Sequence, residues 1–89
     1  MSKVLFRDVF DETLYCLEVS EVSYDPKEDS LHFQGYGEKN FGEAIFHGLG
    51  KSKAEELIRI YHKSNKLDLS ASPAEINPDR ALPFQTPRH

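Results

Sequence analysis

Three predicted strands of this 89-residue chain are apolar on both faces, and this restricts its fold more than any other feature. Val4 and Phe6 oppose Leu5, Leu14 and Cys16 oppose Tyr15 and Leu17, and Ile45 opposes Ala44 and Phe46, because successive side chains of a strand point to opposite sides. An antiparallel sheet with one wet face would alternate cleanly instead. A single helix of about four turns covers only one face. The other must be covered by curling of the sheet into a small barrel, by the C-terminal segment, or by another subunit. A domain of this size with no disulfide gains stability when association buries more surface. The sequence therefore favours a homodimer with the C-terminal segment contributing, and barrel closure is the competing solution.

The elements follow from local pattern. Val4 to Phe10 is rich in β-branched and aromatic residues and reads as a first strand. Thr13 to Tyr24 reads as a second. Its alternation slips, since Tyr15, Leu17 and Val19 share one face while Val22 and Tyr24 fall on the other, and a bulge near Ser20 and Glu21 would shift the phase. Asp25-Pro26-Lys27-Glu28-Asp29 is a turn, with Pro26 presetting φ at its first corner. Leu31 to Tyr36 completes a hairpin, and Phe41 to His47 reads as a fourth strand.

After Gly48-Leu49-Gly50 comes an amphipathic helix, KSKAEELIRIYHKSNK, over 51–66. Ser52 and Glu55 have the spacing of a capping box, and Ala54, Leu57, Ile58 and Tyr61 form an apolar stripe, widened by Ile60. Asn65 is the expected left-handed C-terminal cap. Leu67 and Leu69 alternate with polar neighbours and suggest a short last strand. Four of the five prolines lie at 73, 78, 83 and 87, which argues against further helix or central strand. The expected architecture is α+β: an antiparallel sheet of four or five strands, open or curled into a half-barrel, with one C-terminal amphipathic helix packed on it. The domain is expected to span 1–70, followed by a Pro-rich tail over 71–89 with Ile76, Leu82 and Phe84 as its anchors.

Charge is unevenly distributed. The helix carries Lys51, Lys53, Arg59, Lys63 and Lys66 against Glu55 and Glu56, whereas residues 1–50 hold four cations against ten carboxylates, in a chain of net charge −4. Such polarity steers binding partners. Two sites result. Gly50, Lys51 and Ser52 place backbone amides and an ammonium at a helix N-terminus, where one anion can sit. They do not make a phosphate loop, because Ile45 occupies the position of its first glycine. Arg59, His62, Lys63 and Lys66 form a basic arc on the helix, which Glu55 and Glu56 are placed to blunt by pairing with Arg59. A pI near 5.5 weighs against nonspecific nucleic-acid binding.

No constellation of catalytic residues stands out. Cys16 lies among Leu14, Tyr15 and Leu17, a setting expected to bury the thiol and make it inert, although a Cys-His pair with His32 or His47 across a sheet is geometrically open. His32, His47, His62 and His89 lack metal-ligand spacing, so neither metal nor cofactor is expected. Phe33, Tyr36, Phe41 and Phe46 could stack on bases, but Glu38 and Glu43 supply the wrong charge beside them, and core packing accounts better for most of the rings. The expectation is a small, non-enzymatic, cytoplasmic protein-interaction or regulatory module that does not enter a membrane. The alternative is a small nucleic-acid- or phosphate-binding domain using the helix 51–66.

Overall fold

The computed structural model describes residues 2–37 and 41–77. Five strands, β1 (Ser2–Asp8), β2 (Leu14–Asp25), β3 (Ser30–Tyr36), β4 (Phe41–His47) and β5 (Lys66–Ile76), close into a barrel in that order. One helix, α1 (Lys51–Lys63), lies in the connection between β4 and β5. A β-rich sheet with one helix is therefore present, but two details of the expectation are corrected. The helix is not C-terminal, because β5 follows it. The sheet is not antiparallel throughout, because β1 and β5 pair in parallel. Parity is the reason. Each strand runs antiparallel to its predecessor, so the fifth of five runs the same way as the first, and the ring can close only through a parallel pair.

Closure turns one face of every strand inward. Val4, Phe6, Leu17, Val19, Leu31, Phe33, Ala44, Phe46 and Ala74 are buried together. Phe6, Phe33 and Phe46 form the centre, with ring centroids 5.4, 6.0 and 5.9 Å apart. The helix joins this same core through Ala54, Leu57 and Tyr61, with Ile58 half-buried beside them. The Tyr61 ring lies 6.1 Å from Phe33, and its hydroxyl donates to the Val19 carbonyl at 3.0 Å. The helix thus seals the barrel interior rather than covering an outer face. Because Leu57 is 9% exposed, Leu57→Ala is expected to cost about 2–3 kcal/mol, the lower part of the range for buried leucines. An unchanged midpoint in urea denaturation would show that this face does not dock.

Several local expectations meet competing interactions. The bulge in β2 is present, with the register shifting between Val19 and Glu21. The first strand, however, ends at Asp8 rather than Phe10. A carboxylate oxygen of Asp8 accepts the amides of Phe10 and Asp11 at 3.1 and 3.0 Å and turns the chain. Cys16 is exposed, not buried, because it pairs with Leu5 on the outer face while Leu17 points in. The helix begins at Lys51 with Gly50 as N-cap and no side-chain cap, so Ser52 is not the cap. It ends at Ser64 in extended backbone, and Asn65 is not left-handed; its carbonyl instead accepts the Lys3 amide at 3.1 Å.

The last strand is longer than its prolines suggest. It passes residue 71, where the tail was expected to begin, and reaches Ile76. Its pairing with β1 jumps from Leu5–Asp68 to Arg7–Pro73, so the intervening residues of β5 form a bulge. Proline is tolerated beside such an irregularity. The expected anchors Leu82 and Phe84 lie outside the described residues.

Candidate functional site

The positive end of α1 already receives an anion from within the chain. The Gly50 amide donates to both carboxylate oxygens of Asp29, at 3.0 and 3.2 Å. The Asp29 carbonyl accepts the Gly48 amide at 2.9 Å, and the Tyr24 hydroxyl donates to the same carboxylate at 2.6 Å. Asp29 adopts φ 52° to reach these partners. A carboxylate here complements the helix dipole and ties the β2–β3 turn to the helix start. No local capping pattern announces it, because the contact spans 21 residues. The bond to Asp29 pushes the Tyr24 phenol up to about 12, with burial adding to it. A phenol whose pKa is raised on folding favours the folded state below its unfolded pKa of about 10. That contribution is lost as pH rises from 10 to about 12. Tyr24→Phe should therefore show a shallower loss of stability over that window than the parent, as thermal melts at stepped pH would reveal.

The other predicted positions separate. Lys51 and Ser52 are exposed in the first helical turn, and Lys51 and Lys53 approach Glu55 and Glu56 at 4.0 Å. Those carboxylates were expected to pair with Arg59 but face back along the helix instead. Arg59, His62 and Lys63 are exposed on α1; the His62 ring lies 5.2 Å from that of Tyr61. Lys66 leaves this group, since it is the first residue of β5 and pairs with Lys3.

Lys66 belongs to a different surface. The outer face of β1, β2 and β5 carries a groove of about 410 Å³ lined by Leu5, Cys16 and Leu67, with Lys3, Lys66 and Asp68 around it. Lys3 and Lys66 are direct neighbours across the parallel pair, an arrangement that like charges disfavour. Among the described residues neither makes an ion pair within 4.0 Å. Asp68 is engaged by the Ser70 amide and hydroxyl at 2.9 and 2.6 Å, contacts that lower its pKa.

At the far end of β1 the chain presents a large exposed apolar side chain. Phe10 is 80% exposed, and Val9 and Leu14 beside it are about half exposed. The turn beneath them is held by many bonds. Besides the two to the Asp8 carboxylate, the Asp8 amide donates to Thr13, the Glu12 amide to Asp8 and the Val9 amide to Ala74. Arg7 clamps it from the side, donating to the Glu12 carbonyl at 3.1 Å and to Ser70 at 3.2 Å. The Thr13 amide caps the Asp11 carboxylate at 3.0 Å and helps hold its pKa below the ordinary value. The strand reading of Val9-Phe10 concealed this turn, because apolar residues usually continue a strand.

A third feature occupies the outer face of β3 and β4. Ser30, His32 and Gln34 alternate with the buried Leu31 and Phe33. The Ser30 Oγ lies 2.9 Å from His32 Nε2, and His32 Nδ1 lies 2.8 Å from Glu43 Oε2, which also accepts from Gln34 at 3.1 Å. The order hydroxyl, imidazole, carboxylate is that of a nucleophile relay. Ser30 is only 4% exposed, however, and its hydroxyl is tied to the His32 ring. The network is a polar ladder that bridges β3 and β4 through Glu43. The period-two polar pattern of β3 was its only signal in the sequence. His32 sits opposite Ser23 in β2, and Cys16 sits opposite Leu5 at the other end of that strand, so the two are not brought together. His47 instead meets Glu75 at 2.8 Å.

No family model, characterised protein or solved structure matches this chain. Among the described residues, no helix is long and apolar enough to cross a membrane, and no group of three or more His, Cys, Asp or Glu is placed to hold a metal ion.

Proposed function

We propose that this chain is a small, non-enzymatic protein-interaction module that binds through the β1–β2 turn and the outer face beside it. The observation that carries the reading is Phe10, 80% exposed on a turn fixed by the Asp8 carboxylate. An aromatic ring presented by rigid backbone loses little freedom on binding, and such rings dominate the energetics of protein interfaces. The burial of Ser30 supports the non-enzymatic part of the reading. The exposed thiol of Cys16 suits a reducing, cytoplasmic setting.

Placing a photo-crosslinking amino acid at position 10, and separately at 59, tests this in cells that make the protein. Protein adducts from position 10 are expected. A second reading, nucleic-acid or phosphate binding, draws on the exposed Arg59, His62 and Lys63 of α1. It requires nucleic-acid adducts from position 59, and oligonucleotide binding that falls steeply with added salt. That outcome with no adduct at position 10 would reverse the order of the two readings.

A further inference from the structure

Ile45 is an apolar side chain buried on the outside of the barrel. It is only 5% exposed, yet it takes no part in the apolar cluster that fills the interior. Ala44 and Phe46 on either side of it point inward, so Ile45 faces outward. Its partners across the strands are His32 in β3 and Glu75 in β5, and two places along β4 in either direction stand Glu43 and His47. All four neighbours are polar, and they are joined in pairs, His32 with Glu43 and His47 with Glu75. Side chains on the convex outside of a small barrel diverge, so these pairs rim Ile45 without roofing it. Glu43, on the same face, is only 3% exposed. All five strands belong to the barrel and the helix joins its interior, so no described element is left to cross this face.

The chain leaves β5 beside this face. The Asn77 amide donates to the Glu43 carbonyl at 2.8 Å, and Pro78, having no amide hydrogen, cannot continue that ladder. The sequence PDRALPFQTPRH follows. We propose that residues 78–89 fold back over the outer face of β4, with Leu82 and Phe84 forming the apolar roof over Ile45 and Arg80 meeting the Glu43 and Glu75 carboxylates. At about 3.3 Å per residue, Leu82 has a reach of roughly 17 Å from Asn77 and Phe84 one of roughly 23 Å. Ile45 is about 7 Å from Glu43 along β4, so the length suffices even after a reversal. Charge agrees. The segment carries Arg80 and Arg88 against Asp79, while β3, β4 and residues 75–77 hold Glu43 and Glu75 but no Lys or Arg. Glu38 and Lys39, between β3 and β4, cancel, and Arg7, across β5, is committed to the Glu12 and Ser70 carbonyls. The roof bears on the shortest ladder of the barrel, since β4 and β5 pair only at Ala44–Ile76 and Ile45–Glu75. This inference is independent of the interaction reading, because β4 is separated from β1 by β5 on one side and by β2 and β3 on the other.

The chain has no tryptophan, so Phe84→Trp in the full chain supplies a single reporter. Its emission is expected at shorter wavelength, and better shielded from acrylamide, than that of a synthetic peptide 78–89 carrying the same substitution. Trypsin should cut the full chain after Arg80 at least about tenfold more slowly than the peptide, since a docked segment is cleaved only when it opens. Adding Ile45→Thr, which keeps a β-branched side chain in the strand, should return both readings towards those of the peptide while a circular dichroism melt shows the barrel intact. Leu82→Ser, which substitutes no residue of the barrel, should act in the same direction. Emission and cleavage equal to the peptide's overturn the inference. So does shielding indifferent to both substitutions, which would put the roof elsewhere, and shielding that fades on dilution, which would assign it to the segment of a second copy.

Discussion

Gly35→Ala is expected to destabilise the protein by about 3 kcal/mol, the upper end for an overpacked site. A β-carbon at Gly35 would collide with the Glu18 carbonyl oxygen and stand 2.6 Å from the Val19 Cα. Both are backbone atoms, so no side-chain rotation relieves the clash. The strands would have to separate where β3 meets the β2 bulge, between the Val19–Gly35 and Glu21–Gln34 pairs. Val19 is fully buried and its carbonyl accepts the Tyr61 hydroxyl, so that movement would also disturb helix docking. Gly50→Ala makes a useful contrast. Its φ of 90° is strained for alanine, but the space around it is open, and the cost should be about 1–2 kcal/mol. The chain has no tryptophan, so urea titrations followed by circular dichroism are the natural measurement. A Gly35→Ala midpoint equal to that of the parent would show that the close approach of β2 and β3 is not needed.

Phe33→Ala is expected to cost about 3–5 kcal/mol. Phe33 is fully buried and meets three other rings of the core, Phe6, Phe46 and Tyr61, at centroid distances of 5.4, 5.9 and 6.1 Å. Truncation removes the ring that joins the β1 and β4 sides of the barrel to the helix, and closed strands cannot collapse fully into the space. Domains of this kind have about 5–15 kcal/mol in total, so the variant should be unfolded or nearly so at 37 °C. Phe33→Leu, which keeps most of the volume, should retain a cooperative melt. Similar melting temperatures for the alanine variant and the parent would place the centre of the core elsewhere.

Much of the local structure was legible because it depends on neighbours in sequence. Runs of apolar, β-branched and aromatic residues located β2, β3 and β4, Pro26 marked the turn between the first two of these, and the slip between Val19 and Val22 located the bulge. The 3.6-residue period found the helix and its buried stripe. The errors share a cause in long-range contacts. Ser52 and Glu55 have the spacing of a capping box, but the Asp29 carboxylate reaches the helix start first, from a turn 21 residues away. Val9 and Phe10 look like a continuing strand, but Asp8 ends it. Pro73 looks incompatible with a paired strand until β5 is seen to bulge just before it.

The sequence by itself determined the helix, the first four strands to within a few residues and the start of the fifth, and it showed that several strands carry apolar residues on both faces. It left open how the two-sided strands are covered. Closure decided that, by sending Phe6, Leu17, Phe33 and Phe46 to one interior and leaving Leu5, Leu14 and Cys16 on the outside. The same step made the β1–β5 pair parallel and brought Lys3 beside Lys66, 63 positions apart in the chain. Neither outcome is written in any window of residues, because both depend on the number of strands and on the ring they complete. Side-chain alternation is a local property of the backbone, whereas the face that becomes the core is fixed only when the last strand meets the first.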